Sequence, residues 1–118
     1  NSAIMCAFVN PTAPVLGQLL SAATGWAPDI AHWQRTGERI FTIKRAFNNR
    51  LGVRRGNDRL PERMLIPMSN GSMGRTPRMG MLLEEYYKHR KWDWKTGRPS
   101  REKLTSLGLT EVAEELWS

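Results

Sequence analysis

Cys6 is the residue of this chain best suited to bind a soft metal ion. It is the single cysteine among 118 residues, and it stands in the apolar run of residues 3–9. One thiolate cannot hold an iron–sulfur cluster, which normally has four cysteine ligands. A free cysteine in such a run often serves only as a small buried hydrophobic residue. The residues alone therefore predict a buried segment, in a strand or at the end of a helix, and a metal role for Cys6 would need ligands from outside this chain.

The other chemically capable residues do not form a recognisable active site. His32 and His89 are far apart in the sequence and lack metal-ligand spacing. The glycines of residues 71–80 match neither phosphate-binding fingerprint. The glutamate pairs at 84–85 and 114–115 are typical of solvated helix faces. We therefore predict no catalytic residue within the chain.

The length and composition indicate a single folded domain over residues 1–118. A chain of this length suits one domain, and 40% of its residues are hydrophobic, which argues against disorder. No apolar stretch approaches the ~18 residues of a membrane-spanning helix. A single cysteine cannot form an internal disulfide framework, which favours a reducing, cytoplasmic location. Because Asn1 rather than Met opens the chain, we expect a fragment of a larger protein.

The net charge of +7 is concentrated in one window of the sequence. Residues 35–63 contain nine basic and three acidic residues, which accounts for most of the excess. A positive surface of this kind can bind a polyanion, a cofactor phosphate or an acidic partner. Trp33, Phe41 and Phe47 interleave with these charges, so a basic nucleic-acid-binding or interaction domain is the alternative to a role in an enzyme.

The hydrophobic pattern predicts an all-α, multihelical fold. Proline in the first turn and glycine after the last turn place the first helix from Pro14 to Thr24. A longer helix is predicted from residues 27–29 up to Gly52, since apolar residues recur mostly at three- and four-residue steps: Ile30, Trp33, Ile40, Ile43, Phe47 and Leu51. Gly37 interrupts this pattern, which predicts either close packing or a break there.

The second half is predicted to combine a long irregular Gly/Pro-rich loop with three short helices. Glycines and prolines punctuate residues 53–77, with room for one helical turn over residues 60–65 and an exposed loop over residues 69–78. A third helix is predicted over residues 79–91, followed by a turn over residues 92–97. Ser100 is a good N-cap for the next helix. A final segment from Thr110 to Leu116 completes the prediction.

Several short motifs follow one another in order along most of the chain. Residues 83–93 carry Tyr-Tyr and end in Trp-Asp, residues 96–104 contain Gly-Arg-Pro-Ser-Arg-Glu-Lys-Leu, and residues 107–109 read Leu-Gly-Leu. Further matching pieces lie at residues 23–26, 37–40, 44–48 and 60–63. Together they resemble the C-terminal part of the tungsten-containing aldehyde ferredoxin oxidoreductases. Lys91 stands where that family has a turn glycine, and Ser100 where it has threonine.

The resemblance implies a role for Cys6. In the family an Asp-x-x-Gly-Leu-Cys segment supplies the fourth ligand of a [4Fe–4S] cluster and contacts a pterin, and residues 1–6 fall in its register. Cys6 is then the candidate metal ligand, and Asn1, Ser2 and Met5 are the candidate cofactor-binding residues. Asn1 replaces the family's acid, so it can form hydrogen bonds but brings no negative charge. Ile4 and Met5 replace the glycine and leucine.

The resemblance also implies what the whole protein does. It would be a tungstopterin oxidoreductase that oxidises a small-molecule aldehyde to a carboxylic acid and passes the electrons through a [4Fe–4S] cluster to ferredoxin. Its cofactors would be that cluster and a tungsten or molybdenum bis-pterin, both shared with upstream domains of the same chain. The present C-terminal helical domain would supply one cluster ligand and wall part of the cofactor pocket. No membrane association is expected.

Overall fold

Helices dominate the fold. The computed structural model describes residues 3, 5–26, 29–68 and 72–118. These residues form five α-helices: α1 (Ala13–Thr24), α2 (Ile30–Arg50), α3 (Met79–Arg90), α4 (Arg101–Ser106) and α5 (Thr110–Leu116). Together with three short 3-10 helices they account for 61% of the described residues, and strand accounts for none, which confirms the all-α prediction. None of these helices is both long and apolar enough to cross a membrane.

The chain divides into two compact units, Asn1–Lys44 and Arg45–Ser118, and α2 contributes residues to both. In the first unit α1 ends as predicted. Gly25 adopts a left-handed backbone with φ +74° and donates its N–H to the Ser21 carbonyl at 2.8 Å. Gly17 is buried in α1, where an added Cβ would lie 3.4 Å from Cδ1 of Trp33. The small residue therefore lets α1 approach the tryptophan of α2 closely.

The start of α2 and its glycine differ in part from expectation. Ala27 and Pro28, predicted to open the helix, lie outside the described residues. Asp29 accepts a hydrogen bond from the Ala31 N–H at 2.9 Å, as a residue before a helix should. The helix runs unbroken through Gly37, so the predicted break is wrong. Apart from its own helix backbone and chain neighbours, a Cβ added there would meet no described atom within 4 Å, so the described residues show no close packing at this glycine.

The buried face of α2 is not the apolar face that the sequence predicts. Four of the predicted face residues are exposed: Ile30, Ile43, Phe47 and Leu51. The buried residues instead lie at another three- and four-residue spacing: Thr42, Arg45, Ala46 and Asn49. Hydrogen bonds replace part of the water that these polar side chains lose; Nδ2 of Asn49, for example, donates to the Val53 carbonyl at 2.8 Å, although its Oδ1 has no partner among the described residues.

The hydrophobic core of the second unit lies between α4 and α5. Leu104 is fully buried, and the other buried members of the cluster are Ala46, Leu107, Leu109, Ala113 and Leu116. The Ser100 hydroxyl caps α4 by accepting the Lys103 N–H at 3.1 Å, which confirms the predicted cap. The predicted bounds of α5 are confirmed, whereas the predicted cap at Thr110 and Glu111 is wrong, because Leu109 precedes the helix and no side chain caps it.

A tight turn joins α3 to α4. Trp92 and Pro99 form an antiparallel bridge, and the Asp93 carboxylate accepts the Thr96 N–H at 2.7 Å and its hydroxyl at 2.6 Å. These two hydrogen bonds lower the pKa of Asp93. The predicted turn is thus confirmed. Before it, Lys91 ends α3 in a left-handed conformation with φ +54°, the position at which the resembling family has glycine.

Arg45 connects four segments of the second unit. Its Nε donates to the Gly97 carbonyl at 2.7 Å, and Nη1 and Nη2 donate to the two oxygens of Asp58 at 2.8 and 2.7 Å. Nη2 also donates to the Tyr87 hydroxyl at 2.8 Å, and that hydroxyl in turn donates to Asp58. The guanidinium carbon lies 4.6 Å from the ring centroid of Trp92. Helix α2, the following loop, α3 and the turn are thereby tied to one charged group.

This network shifts two pKa values in opposite directions. Burial alone would raise the pKa of Asp58, but the hydrogen bonds from Arg45 and Tyr87 and the nearby positive charge outweigh it and lower the pKa. Burial, followed by the hydrogen bond to Asp58, raises the pKa of Tyr87 to about 12. The native state therefore favours an ionised Asp58 and a neutral Tyr87.

Position 97 requires glycine for two reasons: its backbone is left-handed, and the surrounding atoms leave no room for a side chain. Its φ is +74°, and an added Cβ would collide with Nη2 of Arg45 and lie 3.2 Å from the Tyr87 hydroxyl. We expect Gly97→Ala to lower the free energy of unfolding by about 3–4 kcal/mol, since crowding adds to the left-handed backbone strain. Gly108→Ala is the matched control, because Gly108 has φ +72° and open space around it. We expect the control to lose only about 1 kcal/mol.

Urea denaturation of the two variants measures this difference. Equal losses for Gly97→Ala and Gly108→Ala would show that the packing around Gly97 is looser than the structure indicates.

Alkaline pH should weaken the fold through Tyr87. A tyrosine whose pKa is higher in the folded than in the unfolded state contributes stability that is complete below pH 10 and is lost as the pH rises to about 12. We expect the free energy of unfolding to fall by about 3 kcal/mol over that range in the wild type, and by much less in Tyr87→Phe. Asp58 makes the fold sensitive to acid as well. Because its pKa is lower in the folded than in the unfolded state, its contribution to stability is lost as the pH falls below about 4.

Denaturation curves recorded from pH 3 to pH 12 measure both limbs. A wild type and Tyr87→Phe that lose the same stability above pH 10 would contradict the assignment of the alkaline limb to Tyr87.

Candidate metal-ligand segment and basic surface

The segment around Cys6 is exposed. A single 3-10 turn, Ala7–Val9, follows the cysteine, and the Cys6 carbonyl accepts the Val9 N–H at 3.2 Å. Cys6 is exposed, Phe8 is 99% exposed and Val9 is 68% exposed. The prediction of a buried strand or helix end is therefore wrong.

Of the four predicted site residues, the structure describes two. Met5 is partly buried and lies directly before the exposed thiol of Cys6. Asn1 and Ser2 lie outside the described residues. After the turn, Asn10 has a left-handed φ of +41° and the chain enters α1, where the Thr12 carbonyl accepts the Leu16 N–H at 2.9 Å. An accessible thiolate is what a metal cluster requires of a ligand.

The histidines are not placed as metal ligands. His32 packs against two tryptophans, with ring centroids 6.0 Å from Trp26 and 5.4 Å from Trp33, both edge to face. His89 lies exposed in the last turn of α3. Across the described ranges, no three His, Cys, Asp or Glu side chains come together as a metal-binding group. A metal site that includes Cys6 would therefore need further ligands from outside the described residues.

The basic window does not form one uniform surface. Arg45 is buried in the network described above, and Arg50 forms an ion pair with Glu115 at 2.8 Å. Arg55 lies over the ring of Trp94, with its guanidinium carbon 4.1 Å from the ring centroid. Exposed basic residues remain in both units: Arg35, Arg39 and Lys44 in the first, and Arg54, Arg59 and Arg63 in the second. Part of the positive charge that motivated the nucleic-acid alternative therefore lies on arginines that contact other residues of the second unit.

A cavity of about 390 Å³ lies beside the rings of Trp92 and Trp94 in the second unit. Its lining combines three aromatic residues with one residue of each charge: Tyr87, Trp92, Trp94, Glu84 and Lys88. Sequence reasoning missed this cavity because its walls come from α3 and from the turn, which no local pattern joins. The one signal in the sequence is the close spacing of Trp92 and Trp94.

Comparison with known proteins agrees with the motif resemblance. The chain is 40% identical over 96 residues to the tungsten-containing aldehyde ferredoxin oxidoreductase of Pyrococcus furiosus and to that of Pyrococcus abyssi. It is 38% identical over 96 residues to that of Thermococcus kodakarensis. These matches cover 79% of this chain but 16% of each relative, so the chain spans only a small part of the curated relatives' length. No solved structure matches it significantly.

A family model extends the match to almost the entire chain. Residues 1–109 match the model described as aldehyde ferredoxin oxidoreductase, domains 2 and 3. The matched range includes the Cys6 segment, the Arg45 network and the Ser100 cap. The predicted resemblance is therefore confirmed, and the chain belongs to the aldehyde ferredoxin oxidoreductase family.

Proposed function

We propose that this chain is part of a tungstopterin oxidoreductase and supplies Cys6 as one ligand of a [4Fe–4S] cluster. The whole protein would oxidise aldehydes to carboxylic acids and reduce ferredoxin. The observation that carries the proposal is the exposed thiol of Cys6, which lies within the range that matches the family model. The resemblance of residues 1–6 to the family's cluster-ligand segment supports giving it this role. The relatives named above are themselves tungsten-containing and ferredoxin-linked by name.

The residues around Cys6 fit a cluster. Thiolate sulfur is the usual ligand of iron–sulfur clusters, and a single accessible cysteine can supply one of the four ligands. When bound, the cluster would supply one-electron transfer between the pterin-bound metal and ferredoxin. The exposed side chains of Phe8 and Val9 would exclude water from the cluster once it is covered, and exclusion of water helps to set a cluster's reduction potential. The other three ligands would come from outside residues 1–118.

The pterin contacts belong to the same proposal. Asn1, Ser2 and Met5 precede the cysteine in the family's pterin-contacting segment, and we assign them to the tungsten or molybdenum bis-pterin. The Asn1 amide offers two donors and an acceptor, which suits a pterin edge. Met5 is partly buried, so its thioether can pack while its backbone faces a cofactor. The proposal assigns none of these residues a proton-transfer role.

The second unit would dock on the remainder of the polypeptide. Its exposed apolar side chains are numerous: Phe47, Leu51, Met64, Leu65, Ile66, Met68, Met73, Met81, Leu82 and Trp94. Large exposed apolar side chains in such number favour a surface that another part of the polypeptide covers. Because the chain spans 16% of its relatives, upstream domains are the nearest candidates to cover this surface and to complete the cofactor pocket. The single cysteine fits a cytoplasmic setting for such an enzyme.

Activity and metal content of the full-length protein test the enzyme assignment. Protein purified without oxygen should contain tungsten or molybdenum together with iron, and it should reduce ferredoxin when an aldehyde is added. A protein without these metals that binds DNA or RNA at low salt would favour the basic-domain alternative instead.

Replacing Cys6 tests the ligand assignment separately. In the full-length protein, Cys6→Ala should lose about one iron per chain or the whole cluster, because each cysteine of a four-cysteine cluster holds one iron. Iron analysis and electron paramagnetic resonance measure this loss. Met5→Leu is the control, since leucine is the family's residue at that register, and it should retain the iron. A Cys6→Ala protein with undiminished iron and an unchanged spectrum would refute the ligand assignment.

A further inference from the structure

One exposed segment of the second unit combines arginine with methionine. It comprises residues 59–68 and 72–78, which precede α3, and we call it the arginine–methionine segment. Its four arginines are all exposed: Arg59, Arg63, Arg75 and Arg78. Five of its large apolar side chains are exposed as well: Met64, Leu65, Ile66, Met68 and Met73. The segment therefore presents positive charge and apolar surface side by side.

The arginines of this segment have no acidic partner in the described part of the chain. Four arginines against one acid, Glu62, give the segment a net charge of +3. The ion pairs among the described residues join other side chains, and none of the four arginines takes part in them. Carboxylates bind guanidiniums through paired, charge-assisted hydrogen bonds. These arginines are therefore available to carboxylates from outside the described residues.

Local turns shape the segment. The Glu62 carbonyl accepts the Leu65 N–H at 2.8 Å. The Met68 carbonyl accepts both the Gly74 N–H and the Ser72 hydroxyl at 3.0 Å. The core of the second unit contains no side chain from this segment. A segment that already forms such turns loses less conformational entropy when a partner covers it.

The composition of the segment indicates which kind of partner covers it. Arginine and methionine are enriched in protein–protein interfaces, whereas lysine and glutamate are depleted, and this segment contains no lysine. It also contains no aromatic residue, on which the bases of a single-stranded nucleic acid would stack. A transient protein partner would leave Met64, Leu65 and Ile66 exposed whenever it dissociated. Permanent cover by the same polypeptide avoids this exposure, and the relatives extend far beyond the matched region, which is 16% of their length.

We propose that the arginine–methionine segment binds an acidic face of the same polypeptide that lies outside residues 1–118. Carboxylates of that face would pair with the arginines, and the methionines with Leu65 and Ile66 would fill its apolar centre. Complementary charges would also fix the register of the contact. The inference rests on the proposed function only in taking the chain as part of a larger enzyme, since it involves neither Cys6 nor a metal.

Methionine oxidation in the full-length protein tests whether the segment is covered. An accessible thioether reacts with dilute hydrogen peroxide, and a covered one is protected. Met64 and Met73 are 52% and 75% exposed in the present chain. In the native full-length protein they should oxidise at least about 10-fold more slowly than in the same protein unfolded in urea. Peptide mass spectrometry measures both rates.

Reversal of one arginine tests the charge of the partner face. Arg63→Glu would place like charges opposite one another, so Met64 of the native full-length protein should oxidise at least about 10-fold faster than in the wild type. Arg39→Glu is the matched control. It makes the same charge reversal at an exposed arginine of α2 outside the segment, and it should leave the rate for Met64 unchanged.

The wild-type measurement decides the proposal even if Arg63→Glu does not fold. Equal oxidation of Met64 and Met73 in native and unfolded protein overturns it. A folded Arg63→Glu protein with wild-type protection, or an Arg39→Glu protein with the same loss of protection, overturns the acidic character of the partner face. Metal analysis of the same preparations separates this test from the enzyme assignment. Unprotected methionines in a protein that contains iron with tungsten or molybdenum refute the docking alone, and protected methionines in a protein without those metals refute the enzyme assignment alone.

Discussion

The second unit depends on a single buried cation. Arg45 is 8% exposed, and burial of a guanidinium is strongly unfavourable unless every donor finds a partner. Its partners come from separate parts of the chain: Asp58 from the loop, Tyr87 from α3 and Gly97 from the turn. The ring of Trp92 covers its face. Loss of Asp58 would leave the buried charge unpaired, and loss of Gly97 or Tyr87 as an acceptor would leave a buried donor unsatisfied, so the four segments stabilise one another.

The helix positions could be predicted because their signals are local. Pro14 and Gly25 bracket α1, and Ser100 caps α4, each through its own backbone or side chain. The buried face of α2 could not be predicted in this way. Periodicity counts Arg45 as solvent-facing, whereas its hydrogen-bond partner Gly97 lies 52 residues further along the chain. Burial of Arg45 is decided by such distant partners, which a hydrophobic pattern cannot contain.

The Cys6 segment and the cavity differ in how far the sequence could predict them, again because local patterns carry no information about distant contacts. Cys6 could be singled out from family motifs, although the apolar character of its segment wrongly indicated burial. Whether such a segment is buried depends on what covers it, and no local pattern carries that information. The cavity lined by Trp92 and Trp94 lay outside sequence reasoning altogether, because its walls come from α3 and from the turn, which no local pattern joins.

The polar interior and the apolar exterior of α2 are two consequences of one arrangement. A helix has one side to turn inward, and in the second unit that side carries Arg45 and Asn49, with Ala46 between them. Phe47 is consequently directed outward and is 61% exposed, and Leu51, just beyond the helix, is 68% exposed. The core of the second unit therefore leaves these two apolar residues uncovered. Charge-assisted hydrogen bonds stabilise the interior of the second unit, while Phe47 and Leu51 stay exposed, as the proposed docking on the rest of the polypeptide requires.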